Sequence, residues 1–365
     1  MNDTPSRKHL VLLGTGRANV HVLKGLATRG TGGVNVTLAA PYPYYIDEAL
    51  LPGHLAGECG LQDCHLPLDA LVEASGVTFI PAHVLGLDPS ARRVQLSSGD
   101  ALPYDVLSID VGPAQERDAI EAHMPGARRN ALFTHPRETF LQLWPQLQAL
   151  ASERALQIAV IGSGVAGAEL ALAAASALTA PHGSRVTLVT DGQPLLHEAP
   201  PALQRRALAR LKAMNITVLP DRCVALDGRE LQLQSGATLL CDAPLLALGL
   251  TPPAWLQASG LALHDDGHPV INERLQSDSH RQVFIVPDSA PPEVGPVLDA
   301  NLATALYGGS FKKAPAAPRL RLMNAGERHA IATWGPLGLE GREVWQWKSR
   351  RDRKQLADLL GLWRP

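Results

Sequence analysis

The chain has 365 residues, a mass of 38.9 kDa and a formal net charge of -2, and 45% of its residues are hydrophobic. This length favours two domains over one, and the composition is that of a globular protein. The balanced charge argues against a nucleic-acid partner. No apolar stretch is long and uncharged enough to span a bilayer. Residues 1–8 are polar and lead directly into a predicted strand, so we expect no signal peptide and a cytoplasmic location.

The first predicted strand, residues 10–13, ends in a glycine-rich turn at Gly14 and Gly16, and a helix is predicted over residues 20–27. In such a turn the first glycine permits a tight bend and the second lets the backbone approach a pyrophosphate. The helix N-terminus then binds the anion. The pattern therefore predicts a dinucleotide site, with an ordinary strand-to-helix turn as the alternative.

Short strands are predicted next, over residues 34–39, 77–84, 93–96 and 104–111. An acid at the end of the second strand of such a unit commonly holds an adenosine ribose hydroxyl. The strand over residues 34–39 ends without a carboxylate, so this contact is missing from the first unit. Strands that alternate with helices in this way favour an α/β architecture with parallel sheets.

The second glycine-rich turn contains all three glycines, Gly162, Gly164 and Gly167, after a strand predicted from residue 157. A strand over residues 185–189 is followed by Asp191, where a ribose-binding acid belongs. No arginine stands next to Asp191 in the sequence to bind a 2′-phosphate, so NADH is favoured over NADPH; a solvated strand-end acid is the alternative. The two blocks read as a repeat, and hence as two Rossmann-like dinucleotide-binding domains.

Four cysteines are too few for a disulfide scaffold and lack metal-ligand spacing near histidine, so no metal site is predicted. Cys59 and Cys64 have the CxxxxC spacing of flavin disulfide reductases. The residues around them differ from that motif. We interpret them as incidental thiols, with a redox disulfide as the alternative.

The C-terminal tail, residues 312–365, begins with a segment rich in proline and basic residues. Over residues 345–363 basic residues are interspersed with tryptophan and leucine. This pattern is typical of an amphipathic helix that lies on an anionic membrane surface. The alternative is a helix docked on the body of the protein or on a second subunit.

Several motifs together resemble those of one known family. They are residues 12–23, 51–57, 104–112, 295–302 and 342–353. The chain resembles pyridine nucleotide-disulfide oxidoreductases similar to type II NADH:quinone dehydrogenases, notably the branch found fused to selenide, water dikinase. The resemblance implies a glutathione-reductase-like fold with two dinucleotide-binding domains. An NADH domain (120–276) would be inserted in an FAD domain (1–119 and 277–311), followed by the tail.

The resemblance also implies roles for particular residues. Those that would contact FAD are Gly14, Gly16 and the backbone around Arg17 at the pyrophosphate, Val84 at the adenine, Asp110 and Gly112 near the hinge, and Asp288 at the ribityl chain. Gly162, Gly164 and Gly167 would hold NADH, with Asp191 at its ribose. Glu169 would lie near the nicotinamide and the flavin and tune their reaction; an acid that merely stabilises the first helical turn is the alternative.

The implied activity is hydride transfer from NADH to FAD, followed by reduction of a quinone reached from the cytoplasmic face of the membrane. The sequence departs from the family at Pro287, which has no backbone N–H to offer a phosphate, and in a shortened segment over residues 288–295. Two other functions therefore stay open. One is a nucleotide-binding regulatory or partner protein linked to selenium metabolism, and the other is a thiol-disulfide reductase.

Overall fold

The computed structural model describes residues 7–180, 182–316 and 318–361. The first part of the chain builds most of one dinucleotide-binding unit. Its strands are β1 (His9–Leu13), β2 (Asn35–Ala40), β3 (Tyr44–Ile46), β4 (His65–Pro67), β5 (Thr78–Pro81), β6 (Val84–Asp88), β7 (Arg93–Leu96), β8 (Ala101–Pro103), β9 (Val106–Ile109) and β10 (Ala114–Gln115). Its helices are α1 (Arg17–Arg29), α2 (Leu51–Leu55), α3 (Asp69–Ser75), α4 (Arg117–His123) and α5 (Ala127–Asn130). A 3-10 turn covers Leu61–Asp63.

The middle of the chain builds the second unit. Its strands are β11 (Leu132–Phe133), β12 (Gln157–Ile161), β13 (Arg185–Val189), β14 (Thr217–Leu219), β15 (Cys223–Asp227), β16 (Glu230–Leu233), β17 (Thr238–Leu240), β18 (Ala243–Leu246) and β19 (Leu250–Thr251). Its helices are α6 (Arg137–Glu153), α7 (Val165–Leu178), α8 (Pro201–Ala213) and α9 (Ala254–Gln257). The remaining elements are β20 (Val283–Ile285), α10 (Val294–Tyr307), β21 (Leu320–Asn324), β22 (Ala330–Trp334), β23 (Leu337–Gly341) and α11 (Arg342–Leu360).

The two units have equivalent five-stranded parallel sheets. The first has the order β20-β9-β1-β2-β5 and the second the order β11-β18-β12-β13-β14. Strand β20, which closes the first sheet, comes after the second unit in the chain. The second unit is therefore inserted in the first, and the predicted α/β fold with two Rossmann-like units is confirmed. Both sheets are covered by helices, which is why their central strands are almost entirely apolar.

The prediction of a strand over residues 77–84 is wrong in one respect, because the chain forms parts of two strands there. β5 pairs with β2 in the parallel sheet, whereas β6 pairs with β7 in a separate antiparallel sheet. The turn between them redirects the chain from one sheet to the other. A single apolar run did not reveal this change of partner.

Residues 320–360 form a folded C-terminal unit rather than an extended tail. Strands β21, β22 and β23 make an antiparallel sheet, and α11 follows directly. Leu356 and Leu359 of α11 are buried in the core around β1 and α1. The apolar side of this helix thus packs on the body of the protein; Trp363, the last tryptophan of the predicted segment, lies outside the described residues. Among the helices that the structure describes, none has the length and apolar character to cross a bilayer.

Candidate functional site

A single cleft of about 810 Å³ opens between the two units. Its walls include the N-terminal ends of both α1 and α7, which are the two helices that follow the glycine-rich turns. Pockets of roughly 300–1,000 Å³ are typical of cofactor sites. Of the residues predicted for the site, the cleft is lined by Gly16, Arg17, Asp110, Gly112, Glu169 and Asp288.

The second glycine turn leaves the N-terminus of α7 open. A Cβ atom at Gly162 would lie 2.4 Å from the Ala247 carbonyl oxygen, and one at Gly167 would lie 2.6 Å from the Gly162 carbonyl oxygen. Both positions therefore require glycine. A Cβ at Gly164 would meet no atom within 4 Å, so space remains in front of the helix. Free amide groups and the helix dipole make this a fitting site for the pyrophosphate of a dinucleotide.

The first glycine turn packs against the neighbouring strand end in a similar way, but a different group lies at its helix N-terminus. The carboxylate of Asp110 accepts hydrogen bonds from the backbone N–H groups of Ala18 and Asn19, at 2.9 Å each. A Cβ at Gly16 would lie 2.2 Å from that carboxylate. Asn19 stands where the third glycine of the motif is expected and donates through its side-chain amide to the carbonyl oxygens of Leu13 and Gly14. The turn is thus built around polar groups of the chain itself.

Arg17, predicted near the pyrophosphate, lies at the mouth of this turn. Its guanidinium is 3.3 Å from the carboxylate of Asp47 and also donates to the carbonyl oxygen of Gln355 on α11. Arg17 is the first residue of α1, and it borders the cleft. Arg17 therefore links the first turn to the C-terminal helix.

Glu169 lies on the first turns of α7 and faces the cleft. Its Oε1 atom accepts a hydrogen bond of 2.6 Å from the backbone N–H of Asn324 in β21. Burial raises the pKa of Glu169 to about 7, while the nearby Lys348 lowers it. Lys348 is itself buried on α11 and forms an ion pair with Asp352 at 2.8 Å. Glu169 is thus a carboxyl group that exchanges a proton near neutral pH, and its environment comes from the C-terminal unit.

Asn324 is in turn positioned by Glu58, which the sequence did not single out. The carboxylate of Glu58 accepts hydrogen bonds from the Asn324 side chain at 3.0 Å and from the indole N–H of Trp345 at 2.7 Å. The backbone N–H of Arg328 donates to the same carboxylate at 2.7 Å. One acid therefore fastens a strand, a loop and the helix of the C-terminal unit to the first unit.

Asp191 lies directly after β13, at the edge of the second sheet, where a ribose-binding acid is expected. Its carboxylate is 3.4 Å from Nε of Arg222, a residue 31 positions later in the chain. The premise that no arginine stands at this strand end is therefore wrong in three dimensions. Burial raises the pKa of Asp191 and Arg222 lowers it. A cationic side chain therefore lies beside the carboxylate that the sequence assigned to the NADH ribose.

The remaining predicted residues occupy different positions. Asp288 faces the cleft after β20, next to Pro287, and the short segment that follows brings Pro291 and Pro292 to the cleft wall. Gly112 has φ 70°, a conformation that favours glycine. Val84 begins β6 and packs against the core beside the first sheet. These assignments to FAD stay predictions.

Two polar residues at the junction of the two units, Gln115 and His135, were not predicted. Gln115 donates through its side-chain amide to the carbonyl oxygens of Leu246 and Leu248. The side-chain oxygen of Gln115 accepts from the backbone N–H of His135 at 2.8 Å. His135 borders the cleft, and burial lowers its pKa to about 3, so its imidazole is neutral. No local sequence pattern marked these groups.

Cys59 and Cys64 do not line the cleft, and both are reduced. Burial raises the pKa of the Cys59 thiol to about 11 and that of the Cys64 thiol to about 12. Reactive cysteines have lowered pKa values, because the thiolate is the nucleophile. The environment of this pair therefore disfavours thiol-disulfide exchange.

One parallel-sheet unit inserted in another, with a cleft lined by the first glycine turn and by the first turns of α7, is the architecture of a protein that binds two dinucleotides. The model of one family, the pyridine nucleotide-disulphide oxidoreductases, matches residues 8–317. The chain belongs to this family, whose members use FAD and NAD(P)H.

Curated relatives include a nitric oxide reductase FlRd-NAD(+) reductase from Aeromonas hydrophila, 30% identical over 257 residues, which are 65% of this chain and 60% of the relative. A type II NADH:quinone oxidoreductase from Staphylococcus aureus is 27% identical over 116 residues, 32% of this chain and 29% of the relative. The chain thus spans less than two thirds of these relatives.

Among solved structures, sulfide:quinone oxidoreductase from Aquifex aeolicus has a TM-score of 0.77 at 18% identity and covers 96% of this chain and 91% of its own. NDH2 from Plasmodium falciparum has a TM-score of 0.73 at 14% identity and covers 98% of each chain. These similarities concern the fold.

The two glycine turns fit a dinucleotide to different degrees. The second turn presents an open helix N-terminus to an anion, and the cleft of about 810 Å³ has a size typical of cofactor sites. The first turn fits a pyrophosphate less well, because the carboxylate of Asp110 already accepts hydrogen bonds from the backbone N–H groups of Ala18 and Asn19.

Proposed function

We propose that this protein is an FAD-dependent oxidoreductase that oxidises NADH and reduces a quinone. The observation that carries the proposal is the one cleft bordered by both glycine-turn helices. Two dinucleotides anchored at the two turns would extend toward the same space. When bound, FAD would supply the redox chemistry by taking a hydride from NADH and passing the electrons on.

The chain supplies groups suited to the proton that this reaction needs. Reduction of a quinone by NADH consumes one proton in addition to the hydride equivalent. Glu169 faces the cleft with a pKa of about 7, so its carboxyl can hold that proton near neutral pH. The backbone N–H of Asn324 holds one oxygen of this carboxyl, and Glu169 lines the cleft.

A quinone as acceptor is supported by an apolar surface on the C-terminal unit. In the register of the sheet, Leu320 lies opposite Trp334 and Trp334 opposite Leu337. The next rung has Leu322, Ala332 and Leu339. We call these six side chains the outer sheet face. Trp334, Leu337 and Leu339 are 64%, 74% and 72% exposed, and such a patch usually marks an interaction site.

The charge of the C-terminal unit favours an anionic lipid surface as the occupant of the outer sheet face. Within residues 320–360 the sequence has eight lysine and arginine residues and five aspartate and glutamate residues, although the whole chain has 33 and 35. The exposed Arg319 and Arg342 precede and follow the sheet in the chain, and the exposed Arg321 lies within β21. An apolar patch with a basic border is what binds the interface of an anionic membrane, where a quinone is within reach.

The acceptor is tested by anaerobic turnover of the FAD-loaded protein with NADH and a short-chain quinone. The proposal expects one NADH consumed for each quinone reduced, with slower electron transfer to a small iron–sulfur protein. Faster transfer to the iron–sulfur protein would contradict a quinone as acceptor. NADH binding with no turnover of either acceptor would instead favour the regulatory protein.

A further inference from the structure

The two glycine turns can be compared with each other, because equivalent residues lie against the first glycine of each turn. A Cβ at Gly14 would lie 2.3 Å from the Asp110 carbonyl oxygen, and a Cβ at Gly162 would lie 2.4 Å from the Ala247 carbonyl oxygen. Asp110 and Ala247 thus occupy the same position in the two units. Where the second unit has a methyl group, the first has a carboxylate.

This one difference decides what lies at each helix N-terminus. In the first unit the Asp110 carboxylate binds the amides of Ala18 and Asn19. In the second unit the corresponding space is open, since a Cβ at Gly164 would meet nothing within 4 Å. A helix N-terminus stabilises negative charge within its first turn only. A second anion bound at α1 would therefore lie close to the first.

The charges that face Asp110 do not compensate for a second anion. Arg17 on α1 is paired with Asp47, Arg137 is paired with Glu48 at 2.8 Å, and the carboxylate of Asp288 also borders the cleft, so both cations are already engaged. Burial raises the pKa of Asp110 to about 6, and Glu48 and Asp288 raise it further, whereas the two backbone hydrogen bonds lower it. The carboxyl can accordingly take up a proton not far below neutral pH.

We propose that the negative charge of the Asp110 carboxylate opposes binding of the cofactor pyrophosphate at the N-terminus of α1, so that binding at the first turn is coupled to uptake of one proton from solvent by the Asp110 carboxyl. The pyrophosphate brings two negative charges to a poorly solvated site that already holds one. Protonation removes the repulsion and requires no movement of the turn. The inference rests on the proposed function, because it takes the ligand of the first turn to be FAD.

The test measures FAD affinity of the apoprotein between pH 5.5 and pH 8.5 by flavin fluorescence and by calorimetry. Above a pKa of about 6, coupling to one proton weakens binding about tenfold per pH unit, so Kd should rise roughly 50-fold from pH 6, where half of the carboxyl is already ionised, to pH 8. Calorimetry in two buffers of different ionisation enthalpy should report close to one proton taken up per FAD at pH 8. This proton count needs no variant.

Three variants sharpen the test. Asp110→Asn keeps an acceptor for the two amides but no charge, so its Kd should be independent of pH and about 100-fold lower than wild type at pH 8. Ser108→Ala, which removes the hydrogen bond from Ser108 to Asn19, is the matched control and should keep the wild-type pH profile. Ala247→Asp should transfer the same pH dependence to NADH binding.

An FAD affinity in wild type that does not change with pH and equals that of Asp110→Asn would overturn the inference and leave the proposed function standing. If neither protein binds FAD at any pH while both still bind NADH, both the inference and the proposed function are overturned. A wild-type Kd that rises with pH while the Asn variant stays flat supports the inference.

Discussion

Carboxyl groups at the cleft border are held in surroundings that disfavour their charged form. Burial is the largest influence on the pKa of both Asp110 and Glu169, and each is only partly offset by hydrogen bonds or a nearby cation. Groups that exchange protons near the working pH are frequent in catalytic sites. Their presence at the junction of two dinucleotide turns connects the fold with redox chemistry.

We expect Glu169→Gln to stabilise the protein at high pH. The folded-state pKa of Glu169 is raised from 4.5 to about 7, so the wild type loses stability as the pH rises through this window and the loss is complete above it. The variant should show no such loss and should be about 1–3 kcal/mol more stable than wild type at pH 8. Urea unfolding at pH 5 and pH 8 measures this difference. An equal effect of the substitution at both pH values would contradict the assignment.

The pair of Asp191 and Arg222 should control the choice of nicotinamide cofactor. Asp191→Asn replaces one of the two acceptor oxygens for ribose hydroxyls by an amide donor and removes the charge paired with Arg222, so KM for NADH should rise about tenfold while KM for NADPH falls. Arg222→Ala is the matched variant and should leave NADH oxidation nearly unchanged but weaken NADPH. Steady-state kinetics with both cofactors provide the measurement. The account of this pair would be wrong if Asp191→Asn affected both cofactors equally.

At the scale of elements, the glycine turns and their strands could be predicted because their signals are local. A run of apolar residues, a turn that needs positive φ and a following helix all lie within about twenty residues. The C-terminal unit could not be predicted as a docked sheet and helix. Its positions depend on contacts between distant residues, such as Glu58 with Trp345 and Glu169 with Asn324. The amphipathic pattern of α11 predicted that this helix has an apolar face. It did not indicate which surface covers that face.

The outer sheet face should be needed for binding to anionic vesicles. Leu337→Glu combined with Leu339→Glu should reduce the fraction of protein that floats with phosphatidylglycerol vesicles at least fivefold, because both side chains are exposed on one face. Leu240→Glu, which changes a leucine that is 63% exposed in the second unit, should have no effect. Flotation that is equal for all three proteins would exclude this face as the membrane contact.

In the whole molecule, the repeat of two dinucleotide units follows from the sequence pattern. The insertion of one unit in the other and the cleft between them were implied by the family resemblance. What differs between the two turns was not predicted, because Asp110 and Ala247 lie 96 and 85 residues away from the turns they close. The same holds for Arg222 beside Asp191. Equivalent turns can thus differ in their affinity for an anion through one distant side chain.

The central claim is that one cleft brings NADH and FAD together for hydride transfer. Its most direct test is the visible absorption spectrum of the FAD-loaded protein during anaerobic titration with NADH. Oxidised FAD should give an absorption band at roughly 450 nm. This band should bleach with about one equivalent of NADH and return when a quinone is added. A protein that binds no FAD, or a flavin band that NADH leaves unchanged, would contradict the account.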